Sequence, residues 1–229
     1  MSKFLLVHGS GHGAWCFEKL LKELKNKGHS AEAVDLPGHG YNKIPIKEVT
    51  LEKYSSKILK SLSSPTILLG HSMGGYPISL AAETDPNYIK HLVYLTAFVP
   101  EDGKSLSEMR NKVDHYPLTS VIKKTEDGLG FYIPGKYQKD SFYNDCSKHD
   151  INLATEKLCV QAIKPQNTPI KLGVNFKNIS KSYETLACDN VNFNLFRDEI
   201  IGIVGESGSG KTTISNLILR LIEPSSGSI

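Results

Sequence analysis

Cysteine is scarce, long apolar runs are missing, and neither sign of charge dominates. Among 229 residues the only cysteines are Cys16, Cys146, Cys159 and Cys188, and no two are spaced as C-x-x-C. That excludes the common structural zinc pattern and points to a reduced chain, expected in the cytoplasm. The apolar runs, such as residues 4–7 and 200–204, are too short to cross a bilayer as helices, and no basic-then-apolar leader precedes the first of them. Direct membrane insertion is not expected. Lys plus Arg number 27 against 24 Asp plus Glu, a net charge of +3. Nucleic acid is not an expected partner at so even a balance. What is present, 39% hydrophobic residues and 22% charged, is the composition of a globular protein.

Histidine is also missing from the last part of the chain. All eight lie in residues 1–167, whereas residues 168–229 hold none, carry six charges of each sign and are rich in Asn, Ser and Gly. At the join, Lys164-Pro165-Gln166-Asn167-Thr168-Pro169 reads as a loop, because each proline disfavours helix in the residue before it. Two domains are expected, 1–167 and 168–229.

In the first, strand and helix patterns alternate. Strands are expected at 4–7, 31–34, 66–69 and 91–98, and helices at 17–27, 51–62 and from 76. This alternation predicts a parallel sheet flanked by helices. From about 101 to 165 the strand pattern stops, and that stretch reads as a polar, partly helical insertion.

Gly70-His71-Ser72-Met73-Gly74 matches G-x-S-x-G and lies between an expected strand and an expected helix. The small residues allow a sharp turn that lifts Ser72 to the carboxyl end of the sheet, and the helix amides that follow favour negative charge there. His8-Gly9-Ser10-Gly11 ends the first strand, where a backbone N–H can point to the same place as that of Met73. His12 and Trp15 follow at the mouth, and His8 reads as a structural histidine.

The runs Val7-His8-Gly9-Ser10-Gly11-His12-Gly13-Ala14-Trp15, Asp35-Leu36-Pro37-Gly38-His39-Gly40 and Gly70-His71-Ser72-Met73-Gly74-Gly75 resemble the α/β-hydrolase superfamily. Within it they resemble the branch of plant methylesterases and hydroxynitrile lyases. Phe142-Tyr143-Asn144-Asp145-Cys146-Ser147 and Lys164-Pro165-Gln166 resemble that branch's cap. The resemblance covers about residues 3–170. It implies Ser72 as nucleophile, Ser10 and Met73 as oxyanion amides, and a small ester or a cyanohydrin as substrate.

In this fold the acid and the histidine follow the serine, beyond the cap. No histidine follows His149 in the sequence, so neither has a counterpart. Asp145 and His149 belong to the cap text and are not candidates. Without its base Ser72 is a weak nucleophile. Losing the base costs a serine hydrolase roughly six orders of magnitude in turnover, and on the order of 10³ over water survives from the oxyanion hole and binding. The strand at 91–98 would end as an open edge, a route to self-association unless strands from 173–204 pair with it.

Gly205-Glu206-Ser207-Gly208-Ser209-Gly210-Lys211-Thr212 matches the phosphate-loop pattern G-x-x-x-x-G-K-[ST], between an expected strand at 200–204 and an expected helix at 212–222. Backbone amides of Gly205, Ser207, Gly208, Ser209, Gly210 and Thr213 would wrap phosphate, Lys211 would reach the β and γ phosphates, and the Thr212 hydroxyl would take a Mg²⁺ position. Strand patterns at 174–183 and 190–195, the loop, and Pro224-Ser225-Ser226-Gly227-Ser228-Ile229 resemble the start of an ABC transporter ATPase subunit, of the oligopeptide-import kind. The resemblance covers about residues 171–229 and implies that Tyr183 stacks on adenine; a strand-end core tyrosine is the alternative. The rest of that machinery has no counterpart here, so ATP and Mg²⁺ are expected to bind weakly and ATP not to be hydrolysed.

The expected fold class is therefore α/β: a truncated α/β-hydrolase parallel sheet with a helical cap, followed by a partial P-loop segment of ABC type. Three functional alternatives stand. The chain is an impaired esterase of small esters, an ATP-binding fragment on an inactive hydrolase scaffold, or a fusion without function.

Overall fold

The computed structural model describes residues 1–113, 117–196 and 202–229. It divides into two compact units, Met1–Ile170 and Lys171–Ile229.

In the first unit, β1 (Lys3–Val7), β2 (Ser30–Val34), β3 (Thr66–His71) and β4 (Ile89–Leu95) form one parallel sheet in the order β2-β1-β3-β4. Leu5, Leu6, Val7 and Leu68 are its buried centre. Helices α1 (Glu18–Asn26), α2 (Leu51–Lys60) and α3 (Gly75–Thr84) connect the strands. In α2 the buried residues Leu51, Tyr54, Ser55 and Ile58 recur at helical spacing, and the Thr50 side chain caps its first turn by accepting from the Lys53 N–H.

From β1 the chain steps outward to β2, then crosses back over β1 to β3. The sheet's direction of travel therefore reverses between β1 and β3, and the crevice beyond their carboxyl ends is where open α/β sheets bind ligands. The turn at Gly9–Gly11 leaves β1 there, and Ser72 leaves β3 there.

Several expected bounds move. The first helix is preceded by a 3₁₀ turn, Ala14–Phe17, so it starts at Glu18. β4 ends at Leu95, not at residue 98, because Thr96 takes a positive φ of 43° and the chain bends until the Phe98 N–H donates to the Ser72 carbonyl at 3.1 Å. The insertion is not without strands. Beside α4 (Leu106–Asn111), α5 (Gly135–Phe142) and α6 (Lys148–Lys157), it holds β5 (Lys123–Lys124), β6 (Gly130–Tyr132) and β7 (Gln161–Ala162), a small antiparallel sheet too short for a periodic signal. The join expected as loop contains a one-turn helix, α7 (Lys164–Asn167), since proline is tolerated in a first helical turn.

In the second unit β8 (Gly173–Ser182) and β9 (Leu186–Phe196) form a long antiparallel hairpin, and β10 (Ser226–Ser228) pairs with β8. Among the described residues these strands make a sheet of their own. Helix α8 (Lys211–Ile218) supplies Leu217 to a core with Phe176 and Ile179. Phe176 stacks on Phe193 with ring centroids 4.4 Å apart. The expected helix to residue 222 stops at Ile218, shortly before Arg220 at φ 54°. Of the strand expected at 200–204, residues 200 and 201 lie outside the described residues and 202–204 are not strand.

Candidate active site

Ser72 sits at the apex of a tight turn with φ 54°, directly after β3 and at the head of a 3₁₀ turn, Ser72–Gly74, that leads into α3. Such a backbone is strained for a residue with a side chain and persists only when its surroundings hold it. The holding is visible at Gly74, where an added Cβ would lie 2.5 Å from the Val7 carbonyl oxygen. Only a glycine lets the turn close against β1. Met73 is buried at the start of the turn, where helical amides lack internal partners.

The turn after β1 approaches Ser72 closely. A Cβ on Gly9 would lie 3.0 Å from the Ser72 Cβ and 3.2 Å from His71 Nδ1. Ser10 follows, and among the described residues no acceptor takes its N–H. Ser72, Ser10 and Met73 line one cavity of about 780 Å³ with Leu95, Phe131 and Tyr143. Its walls are largely apolar side chains, suited to a small ligand with few polar atoms.

The segment after α6 holds the Ser10 turn. Gln161, 1% exposed, accepts from the Gly11 N–H at 3.2 Å and from His39 Nε2 at 3.0 Å, and its amide donates to the Tyr54 hydroxyl. The Cys159 N–H donates to the Gly11 carbonyl at 2.9 Å. Gln166, 2% exposed, donates to Ser10 Oγ at 2.8 Å. Sequence reasoning gave neither glutamine a role. Gln161 is a polar residue in the apolar stretch 158–163, and Gln166 lies in the polar segment 164–169 that resembles the branch's cap; neither signal says what the side chain meets across the fold.

The nearby histidines are neutral, and His8, His12 and His39 are hydrogen-bonded. The Leu36 N–H donates to His8 Nε2 at 3.2 Å, so the proton is on Nδ1, which donates to the Gly9 carbonyl at 2.8 Å. Burial holds His8 well below the usual imidazole range. This matches the structural role expected from the sequence. His12 donates through Nδ1 to the Ser10 carbonyl at 2.8 Å, accepts the Tyr143 hydroxyl at Nε2 at 2.6 Å and stacks on Trp15. Burial pushes it down to about 4. His39 and His71 are lowered as well, each mainly by burial. None of these rings bonds to Ser72 Oγ among the described residues. Asp145 and His149 are exposed on the cap, and His115 lies outside the described residues.

A family model for the alpha/beta hydrolase family matches residues 4–167. The chain belongs to this family. Methylesterase 7 of Arabidopsis thaliana is 43% identical over 178 residues, 72% of this chain and 68% of that protein. Norfluorocurarine synthase 1 of Strychnos nux-vomica is 33% identical over 167 residues, covering 66% of this chain and 63% of that one. The chain thus spans about two thirds of the length of these curated relatives. The crystal structure of polyneuridine aldehyde esterase is 27% identical, with a TM-score of 0.62 over 73% of this chain and 71% of that one. The parallel sheet and the turn at Ser72 both lie within Met1–Ile170.

A second model, ABC transporter, matches residues 188–229. It takes in the loop at 205–212 and begins after Tyr183. Gly208 and Gly210 hold positive φ angles of 85° and 88°, which lets the loop wind into α8. Lys211 Nζ is folded back on the loop, donating to the carbonyls of Gly205 at 2.8 Å and Glu206 at 2.6 Å. Thr212 is exposed at the head of α8, and Tyr183 is 60% exposed in the β8–β9 turn with Lys181 Nζ 5.2 Å from its ring centroid. Among the described residues no cluster of three His, Cys, Asp or Glu side chains can hold a metal ion, and no helix is long and apolar enough to cross a membrane.

Proposed function

We propose that this hydrolase is an impaired, esterase-like serine enzyme of small esters, with Ser72 as nucleophile and the Ser10 and Met73 amides as oxyanion donors. The observation that carries the reading is the strained Ser72 turn, held against the Gly9–Ser10 turn at the wall of a cavity of about 780 Å³. Methylesterase 7 is similar over 72% of this chain, which favours a carboxylic ester as the substrate class. The impairment is supported by the histidines: among the described residues those beside the cavity are neutral and none of them bonds to Ser72 Oγ.

The test is labelling of the full chain by a fluorophosphonate, beside p-nitrophenyl acetate turnover and a Ser72→Ala control. We expect slow labelling that the substitution abolishes. Turnover is expected roughly six orders of magnitude below that of a complete triad. Labelling unchanged in Ser72→Ala overturns the assignment of the nucleophile. Turnover at the rate of a complete triad overturns the impairment.

A second reading concerns residues 171–229. We infer an ABC-type ATP-binding module fused to the hydrolase domain 1–167, its nucleotide held weakly and not hydrolysed. It is supported by the positive-φ glycines of the loop and by Lys211, whose ammonium already gathers the loop carbonyls and can release them for phosphate oxygens. Gly205, Ser207, Gly208, Ser209, Gly210 and Thr213 would contribute backbone amides, Thr212 a hydroxyl to Mg²⁺, and Tyr183 a stacking face. Bound Mg²⁺ would neutralise phosphate charge. We also infer self-association through the edge of β4.

A further inference from the structure

Beside Ser72 the cavity wall carries a line of polar side chains that nucleophilic attack does not require. Arg110 Nη1 donates to Gln166 Oε1 at 3.2 Å, and Gln166 Nε2 donates to Ser10 Oγ at 2.8 Å. All three residues line the cavity of about 780 Å³. The polarity of the line is fixed by chemistry. A guanidinium has only donors, so the glutamine atom facing it is the oxygen. The other end of the amide is then nitrogen, which can only donate, so Ser10 Oγ accepts. Gln166 is 2% exposed, and neither end of its amide can turn to water instead.

The proton of the Ser10 hydroxyl is therefore aimed away from Gln166. Among the described residues no acceptor takes it. Ser10 directly follows Gly9, whose backbone lies against Ser72.

We propose that the Ser10 hydroxyl is a side-chain hydrogen-bond donor to an acceptor oxygen of the bound ligand. Arg110 and Gln166 act as positioning residues that hold its proton toward the cavity. The cavity would then select carbonyl compounds, esters and ketones, over hydrocarbons of the same shape. The proposal rests on the esterase reading only in naming an ester carbonyl as the natural acceptor.

The test uses the full chain and two probes, phenylacetone and isobutylbenzene, which differ chiefly in the carbonyl oxygen. Affinities are read by ligand titration under NMR. In Gln166→Glu the new carboxylate accepts from Arg110 and from the Ser10 hydroxyl, so the hydroxyl proton is taken from the cavity while Ser10 stays in place. We expect the preference for the ketone to fall about tenfold, the size of one hydrogen bond. Ser10→Ala is expected to give the same fall, the double variant no further one, and Ser10→Thr to keep the preference. An unchanged preference in Gln166→Glu, an equal loss for both probes in Ser10→Ala, or a wild type that binds neither probe would each overturn the proposal. If Gln166→Glu does not fold, the pair Ser10→Ala and Ser10→Thr decides alone. Fluorophosphonate labelling is read in parallel. Its absence with the ketone preference intact would remove the esterase reading and leave this one standing.

Discussion

His12 joins three parts of the first unit through one ring. Its Nδ1–H holds the Ser10 carbonyl, its Nε2 accepts the Tyr143 hydroxyl, and its face stacks on Trp15. A second proton has nowhere useful to go, because Nε2 already accepts. Burial first, then the like-charge effect of His71 and His39, outweighs the Ser10 carbonyl and brings the group down to about 4 from 6.5. The sign of the linkage follows. Below 6.5 the unfolded chain binds a proton that the folded chain refuses, so stability falls as pH drops from 6.5 toward 4 and is restored above 6.5. Between pH 7 and pH 4.5 this one group contributes a loss of about 2 kcal/mol. Urea unfolding at the two pH values should show His12→Asn losing about that much less than wild type. Equal losses would place the proton elsewhere, with His8, shifted in the same direction, as the next residue to replace.

At the scale of elements, β4 is the exposed risk. Among the described strands it has one neighbour, β3, and Val93 and Leu95 on it are 38% and 42% exposed. An edge of this kind offers unpaired backbone groups beside apolar side chains, and charge placed on it opposes pairing with another chain. Lysine at both positions, Val93→Lys with Leu95→Lys, should raise the monomer fraction in sedimentation velocity without lowering Tm by more than a few degrees. A distribution identical to wild type would remove β4 as the route of association. The strand itself was legible in the sequence, though not its end, as were β1 to β3 and the elbow, because a short apolar run is a local signal. The three short strands at 123–124, 130–132 and 161–162 were not. Two or three residues have no period to read, and their pairing joins segments as far apart as Gly130 and Ala162. The same distance hid Gln161 and Gln166, whose partners Gly11 and Ser10 lie some 150 residues earlier. Motif spacing marks residues that meet along the chain, whereas these meet only across the fold.

Among the described residues there are two buried cores, one around Leu6, Leu68 and Tyr76 and one around Phe176, Ile179 and Leu217. A chain with two cores need not unfold in one step. Calorimetry should show two transitions, and each proposed ligand should move only one. Phenylacetone is expected to raise the transition of the first unit and not that of the second. ATP with Mg²⁺ at about ten times its Kd would stabilise the unit holding Lys211 by about 1.4 kcal/mol, and Lys211→Ala should remove that shift. This experiment separates the functional alternatives in one measurement. A shift from ATP alone means that the hydrolase fold serves as a scaffold for a nucleotide module. A shift from the ketone alone leaves the loop at 205–212 without a ligand and places ligand binding in the cavity beside Ser10, with Ser72 labelling then deciding the chemistry. No shift from either, in a protein that melts cooperatively, favours a fusion in which neither site binds. The glycines that let Lys211 gather the loop carbonyls bear on the first outcome, and the Ser10–Gln166–Arg110 line on the second. The two units can therefore be tested by single substitutions that leave the other core untouched.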